Sequence, residues 1–285
     1  MKLGIVFEGG ASRSLFSCGV MDALLEEKIY ADYVIGVSAG IAYGTTYVSG
    51  QIGRNLELST KYMHDKRYMG YRHLFNPKKR SYYNMDFAFR EIPEKLVPFD
   101  FEAFENNPAK SVATLTNIET GLAEYIELPK DDREKHLQLL WASCALPFLF
   151  QPVPIDGKIY MDGGISDPIP FRKAFSDGCD KVITVLTRER TYAKDSESAA
   201  KLANLAYKKY PKFGDALLSR SERYNQSRDE IFKLTDNGKM ITIMPHDTSG
   251  FKRTERNPQK LRAMYEDGYK TTRDMIDEIK KYINE

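Results

Sequence analysis

The sequence predicts an α/β fold built around a mostly parallel sheet. Three observations carry that expectation. Short apolar runs alternate with helical patterns through Ser49. The runs are apolar at every position, as strands covered on both faces are. A glycine-containing turn follows each run and opens into a helix. Strand–helix alternation of this kind builds a parallel sheet by right-handed crossovers.

The elements follow in order. Leu3–Phe7 (LGIVF) reads as a buried strand ending at Glu8-Gly9-Gly10, and Ser14–Glu27 has the periodicity of a helix, with Leu15, Cys18, Met21 or Asp22, and Leu25 recurring at helical spacing. Tyr33–Val37 (YVIGV) is a second strand, and Ser38–Ser49 is a helix of small and apolar residues. Gly50–Pro108 breaks the alternation: it is rich in aromatics, carries the basic run Lys78-Lys79-Arg80, and reads as helices and long loops laid over the core. Lys110–Asn117 and Leu122–Leu128, joined by Ile118-Glu119-Thr120-Gly121, read as a hairpin. Asp131–Leu146 reads as a helix capped by Asp131 and stopped by Pro147.

Lys158–Met161 and Lys181–Thr187 read as two further strands. Beyond Arg188 the chain shifts to charged helix formers. Ser196–Tyr210 and Lys212–Leu234 read as helices, and Lys239–Pro245 as a last strand. Asn257-Pro258 starts a helix that runs to about Ile283. The expected organisation is a core over residues 1–180, with its insertion at about 50–108. A C-terminal α/β portion, residues 181–285, packs on the core as part of one continuous domain.

The 285 residues fit one or two domains at roughly 100–200 residues each. With 42% hydrophobic residues and a net charge of +2, the chain is globular rather than disordered, and 42 basic against 40 acidic residues make no case for nucleic acid. The longest apolar stretch, Leu139–Phe150, contains Pro147 and falls short of the ~18 residues a spanning helix needs. The start, Met1-Lys2-Leu3, reaches Glu8 at once, and no signal-peptide core is expected. Cys18, Cys144 and Cys179 are an odd, sparse set. They suggest reduced, mostly buried thiols in a cytoplasmic protein, with one surface thiol left open. No EF-hand-like loop suggests calcium, and neither a metal nor another cofactor is expected.

Three motifs could carry chemistry. Gly36-Val37-Ser38-Ala39-Gly40 is a G-x-S-x-G sequence between a strand and a helix. A sharp turn there would lift the Ser38 hydroxyl clear of the backbone, with Gly36 and Gly40 allowing the chain to fold back. The helix N-terminus would favour a developing negative charge. The alternative is a plain strand–turn–helix connection.

Glu8-Gly9-Gly10-Ala11-Ser12-Arg13-Ser14 is a glycine turn after the first strand. It lacks two glycines of a dinucleotide fingerprint and the Gly-Lys-Ser/Thr of a P-loop, so nucleotide binding is disfavoured. Backbone N–H groups here could form an oxyanion hole. The alternative is a tight turn.

Asp162-Gly163-Gly164 follows a strand, and Asp162 could be the general base for Ser38 or merely open an Asp-Gly turn. No histidine is well placed. His64 and His73 lie in the insertion, His136 reads as a solvated helix position, and His246 could close a triad in the order Ser, Asp, His.

Taken in order, the glycine turn, G-V-S-A-G and D-G-G resemble the patatin-like phospholipase family, in particular its bacterial members. The stretches Ala142-Ser143-Cys144-Ala145-Leu146-Pro147-Phe148, Phe150-Gln151-Pro152-Val153 and Ile159–Gly164 are similar as well, and so is Asp167-Pro168-Ile169-Pro170. The resemblance covers about residues 3–175; Thr254-Glu255-Arg256-Asn257-Pro258 and the final helix look like the C-terminal region of bacterial members. It implies a three-layer α/β/α patatin-like fold and a Ser-Asp dyad without histidine.

On that resemblance Ser38 is the acylated nucleophile, and Asp162 takes its proton and later activates water. The oxyanion hole comes from N–H groups near Gly9, Gly10 and Ala11, buttressed by Arg13. The family's turn has glycine where this chain has Ala11 and Ser14. The β-carbon of Ala11 disfavours positive φ. Either the turn avoids positive φ there or the hole is distorted.

The expected function is that of a lipid acyl hydrolase, phospholipase-like, forming an acyl-enzyme. The alternatives are an α/β-hydrolase-type esterase with a Ser38–Asp–His246 triad, and a catalytically weak patatin-like binding protein. The expected partner is a lipid or small ester. The aromatic insertion is a lid or acyl-chain wall, or ordinary core. Lys78-Lys79-Arg80 and Lys208-Lys209 touch anionic lipid peripherally, or are solvated faces.

Overall fold

The computed structural model describes residues 1–75, 81–195 and 206–285. Its sheet holds β1 (Leu3–Phe7), β2 (Tyr33–Val37), β3 (Lys110–Asn117), β4 (Ala123–Glu127), β5 (Val153–Ile155), β6 (Lys158–Asp162), β7 (Lys181–Val185) and β8 (Ile241–Ile243). The order is β5-β6-β3-β2-β1-β7-β8, with β4 also on β3. The run from β3 to β8 is parallel throughout. The pairs β3–β4, β3–β6 and β5–β6 are antiparallel. The sheet is therefore mostly parallel, as the sequence predicts.

Two layers of helix cover it. The helices are α1 (Leu15–Glu26), α2 (Ala39–Val48), α3 (Arg54–Tyr62), α4 (Phe101–Asn106), α5 (Arg133–Ser143), α6 (Phe171–Ser176), α7 (Pro211–Leu218), α8 (Arg220–Asp236), α9 (Pro258–Asp274) and α10 (Ile276–Asn284). Strand alternation sorts the core. Leu3, Ile5 and Phe7 of β1 face the layer that holds α1, α2 and α9. Val6 faces the opposite layer, with Phe171 of α6 and Ile231 of α8. This is the three-layer α/β/α arrangement.

The edges of β3 explain how distant loops meet. β4 pairs with Val112–Thr116 and occupies one edge. β2 pairs through Thr114, and β6 pairs from Leu115 onward. Both overlap the β4 register, so both lie on the other edge. There β2 ends at Val37, opposite Thr114, and β6 ends at Asp162, opposite Leu115. The two C-terminal ends converge.

The last long helix locks onto the first. A β-carbon on Gly268 would lie 2.0 Å from the Phe16 carbonyl oxygen, and one on Gly19 the same 2.0 Å from that of Tyr265. Only glycine at both positions lets α1 and α9 approach so closely.

Several boundaries differ from the sequence reading. The cap of α5 is Asp132, not Asp131: its carboxylate accepts the Lys135 N–H at 2.9 Å. The helix ends at Ser143 rather than Leu146, because the residues before Pro147 are steered out of helical conformation and the chain turns at Phe148, φ +67°. A short strand, β5, pairs with β6 where no strand was expected. The helix expected over Lys212–Leu234 breaks at Ser219 into α7 and α8. The final helix breaks at Met275. Within the insertion, Phe87–Leu96 winds as a π-helix around Pro93, whose missing N–H a wider turn tolerates. Lys78-Lys79-Arg80 and most of the helix expected over Ser196–Tyr210 lie outside the described residues. No helix among the described residues is long and apolar enough to cross a membrane.

Candidate active site

Ser38 sits between β2 and α2 with φ 55° and ψ −130°. A side chain held at positive φ is strained, and strain persists where the surroundings over-determine it. Here they do. The Ser38 N–H donates to Ser143 Oγ at 2.8 Å, and the Ser143 hydroxyl donates to the Thr114 carbonyl at 2.9 Å. Gly36 and Gly40 give the turn its room: added β-carbons would lie 2.8 Å from the Ile41 nitrogen and 2.5 Å from the Phe7 carbonyl oxygen. Ser38 itself is 8% exposed at the N-terminus of α2, whose dipole favours an anion there.

Asp162 ends β6 and is buried. Its Oδ1 accepts the Gly164 N–H at 2.8 Å. Burial pushes the carboxyl above the usual range; Arg220, Arg253, the Gly164 N–H and the neighbouring Ser38 hydroxyl pull it back. The influence of Ser38 marks the two side chains as neighbours, yet Asp162 Oδ2 closes no hydrogen bond within the usual limit. Hydrogen bonds of this kind are often loose before substrate arrives.

The glycine turn packs directly on the elbow. A β-carbon on Gly9 would lie 3.0 Å from that of Ser38. No acceptor among the described residues takes the N–H of Gly9, Gly10 or Ala11. Ala11 has φ +49°, so the turn does not avoid the left-handed region. Its α-carbon accepts the strain that glycine would escape. Glu8 anchors the entry: its carboxylate accepts the Thr187 N–H at 2.6 Å and the Tyr224 hydroxyl at 2.8 Å.

Two cavities meet at Ser38. One, of about 130 Å³, is apolar, running from Ala11 and Ser38 past Tyr43, Leu58, Met85, Phe89 and Phe150. Most of its wall comes from the aromatic insertion, which is thus both core and cavity wall. The other, of about 50 Å³, is polar. It is lined by Glu8, Gly9, Arg13, Ser38, Asp162, Arg188, Lys194, Arg220, Tyr224 and Arg253, among others. Burial, with Arg188 and Arg253 nearby, pushes the Arg13 guanidinium down to about 10.

The histidines stand elsewhere. His136 is not solvated but buried, edge-on to Phe104 at 4.8 Å, and burial pushes its pKa down to about 4. It lines the apolar cavity. His246 is exposed beside Asp267 and lines neither cavity, so no triad forms through it. His64 and His73 also lie away from both cavities. Cys144 is beside Ser38 with its thiol pushed up by burial, and Cys18 and Cys179 are buried; all three are free. Lys208 and Lys209 are exposed.

Sequence reasoning missed Ser143, Arg188, Arg220, Tyr224 and Arg253. Ser143 lay inside a stretch already singled out. The arginines and Tyr224 had no local signal, because they reach the site from far along the chain.

Residues 5–175 match the family model described as patatin-like phospholipase, and residues 210–284 match one described as a domain of unknown function, DUF6363. The chain is 25% identical over 193 residues to the uncharacterized protein YjjU of Escherichia coli strain K12, an overlap of 65% of this chain and 52% of YjjU. It thus spans about half the length of that relative. Among solved structures it is similar to VipD from Legionella pneumophila, with a TM-score of 0.51 and 14% identity over 97% of this chain and 66% of VipD. That likeness is one of fold.

Proposed function

The chain belongs to the patatin-like phospholipase family, and from that premise we propose that it is a serine acyl hydrolase working through a Ser38–Asp162 dyad. The observation that carries the reading is the convergence on one edge of β3: Ser38 follows the residue opposite Thr114, and Asp162 is opposite Leu115. Family membership makes a lipid the substrate class.

In this reading the ester's acyl chain enters the apolar cavity, and its carbonyl oxygen faces the N–H groups of Gly9, Gly10 and Ala11. Ser38 Oγ attacks the carbonyl carbon while its proton passes to Asp162 Oδ2. The tetrahedral oxyanion is held by the turn. It collapses as Asp162 returns the proton to the departing alcohol, which leaves Ser38 acylated. Asp162 then draws a proton from water, whose oxygen attacks the acyl carbon; as the bond to Ser38 Oγ breaks, Asp162 passes that proton to Oγ, which frees the carboxylic acid and restores the Ser38 hydroxyl. Two supports stand out: among the described residues, Asp162 Oδ2 is an unfilled acceptor and the three N–H groups have no acceptor. The free thiols support a cytoplasmic setting. Contact with lipid would be peripheral.

A fluorophosphonate probe tests the reading. It should label the wild type and not Ser38→Ala, and a lipid panel should then give hydrolysis that Ser38→Ala lacks. Equal labelling of both proteins, or hydrolysis that survives Ser38→Ala, rejects it.

A further inference from the structure

We propose that Ser143, Cys144 and Ala145, the last residue of α5 and the two that follow it, form a positioning segment: by holding Ser38 and Asp162 at once they set the distance between nucleophile and base. The proposal rests on the Ser38–Asp162 reading and adds what keeps that pair in place.

The sheet alone leaves the pair unlinked. β2 and β6 meet end to end on one edge of β3, and among the described residues they do not pair with each other. Val37 is opposite Thr114 and Asp162 is opposite Leu115, so each strand end is tied to β3 and neither to the other. Ser38 then leaves β2 with φ 55°. A residue in so strained a conformation keeps it only where its surroundings hold it there.

The end of α5 supplies that hold on both sides. The Ser38 N–H donates to Ser143 Oγ at 2.8 Å. Two residues on, the Ala145 carbonyl accepts the Asp162 N–H at 2.9 Å. Between them, Cys144 sets its side chain beside that of Ser38 and lines the apolar cavity. Three consecutive residues therefore reach the nucleophile's amide, its side chain and the base's amide.

The segment is itself fixed. The Cys144 N–H donates to the Leu140 carbonyl at 3.1 Å, and the Ala145 N–H to the Ala142 carbonyl at 3.1 Å, so the chain stays wound past the helix end. The Ser143 hydroxyl donates to the Thr114 carbonyl at 2.9 Å. That carbonyl is a shared support: a β-carbon on Gly163, the residue after Asp162, would lie 2.2 Å from its oxygen. Thus α5, β3 and the D-G-G turn pack on one atom. Ser143 and Ala145 are fully buried, where a bond that is lost finds no solvent to replace it.

The chemistry makes the spacing matter. Proton transfer from Ser38 to Asp162 needs the two oxygens within about 3 Å of each other. The side chains are neighbours with no closed hydrogen bond, so the backbone that carries them governs their approach.

The test uses the full-length protein and Ser143→Ala, which removes one oxygen and keeps a good helix former at the end of α5. On p-nitrophenyl octanoate, kcat should fall about 100-fold with KM little changed, as a misplacement of about 1 Å would cause. The rate of fluorophosphonate labelling at Ser38 should fall in step. Ser143→Thr, which returns the hydroxyl, should recover most of the rate. Amide hydrogen exchange resolved to single residues gives a readout independent of activity. In wild type the Ser38 and Asp162 amides should both be protected. In Ser143→Ala both should exchange faster by about tenfold or more, although only Ser38 has lost its own acceptor.

An unchanged kcat in Ser143→Ala overturns the proposal, and so does a loss confined to KM or one that a folded Ser143→Thr does not reduce. Release of the Ser38 amide alone also overturns it, because the two holds are then independent. If Ser143→Ala does not fold, Ser143→Cys takes its place, close in shape but a weaker donor and acceptor. Rapid exchange at either amide in wild type rejects the segment without any variant. If wild type is neither labelled at Ser38 nor able to cleave the ester, the hydrolase reading has failed instead. Joint loosening of the two amides then still supports the link between the two positions, and independent loosening sinks it.

Discussion

The Tyr224 hydroxyl donates to the Glu8 carboxylate at 2.8 Å, across 216 residues of sequence. Glu8 ends the first strand's approach to the glycine turn, and Tyr224 lies on α8. The bond ties the C-terminal helices to the backbone that faces Ser38. Tyr224→Phe leaves Glu8 Oε1 buried without this donor, and such a loss costs about 1–3 kcal/mol. Urea unfolding should show a lowered midpoint with an unchanged slope. Stability equal to wild type would mean that the bond contributes nothing.

On the proposed dyad, Asp162 sets the pH dependence. Its carboxyl is raised by burial, and as the base it must be ionised. Ester hydrolysis should therefore rise with pH through an apparent pKa above the ordinary Asp value of about 3.9. Asp162→Asn should abolish turnover in a folded protein. Arg220 is the strongest of the charges that pull the carboxyl down. Arg220→Gln should shift the acid limb of kcat/KM to higher pH. A limb that stays in place separates Asp162 from the base role.

Ala11 holds φ +49° at the heart of the turn. An L-residue pays about 1–2 kcal/mol there, and glycine pays little beyond its own chain entropy. Ala11→Gly should therefore stabilise the protein by up to about 1 kcal/mol, read as a raised denaturation midpoint. Because the donor N–H is kept, kcat should change little. A destabilised Ala11→Gly would show that the alanine methyl makes contacts worth more than the strain.

These residues also show where a linear reading succeeds. The strands through Val37 and the strand–turn–helix at Ser38 are local: apolar runs, glycines and a helix start lie within ten residues of one another, and the structure has these elements where they were expected. Asp162 was legible as a motif and as a candidate base for Ser38, but only the resemblance favoured that pairing over a plain Asp-Gly turn, because the two positions meet through the register of β3. The caps failed by one residue at Asp132, where two adjacent aspartates compete and only geometry chooses. The solvated reading of His136 failed because its ring is buried edge-on against Phe104 of α4, while the guanidinium of Arg133, on the same side of α5, stays exposed over Phe101. Arg220 and Arg253 were invisible: an arginine in a charged helical stretch looks solvated until the fold carries it into a cavity.

Asp22 gives a prediction about stability alone. It is buried on α1, where its Oδ2 accepts the Gly53 N–H at 2.9 Å and the Tyr265 hydroxyl at 2.7 Å. Those bonds favour the charged form, yet burial outweighs them and pushes the pKa up to about 6. The unfolded value is about 3.9, so the folded chain holds this proton more tightly. The stability it contributes is complete below the unfolded pKa and is lost as pH rises through about 6. Two pKa units correspond to about 3 kcal/mol. Asn at this position is neutral at every pH, and its side-chain oxygen can accept the same two bonds. Asp22→Asn should therefore be more stable than wild type by about 1–3 kcal/mol near pH 8. The gain should shrink to about half near pH 5, where wild-type Asp22 is largely protonated in the folded state. Urea unfolding at the two pH values measures it. A gain of the same size at both would locate the effect in packing rather than in the buried charge, and a loss at both would mean that the carboxylate bonds to Tyr265 and Gly53 outweigh its burial.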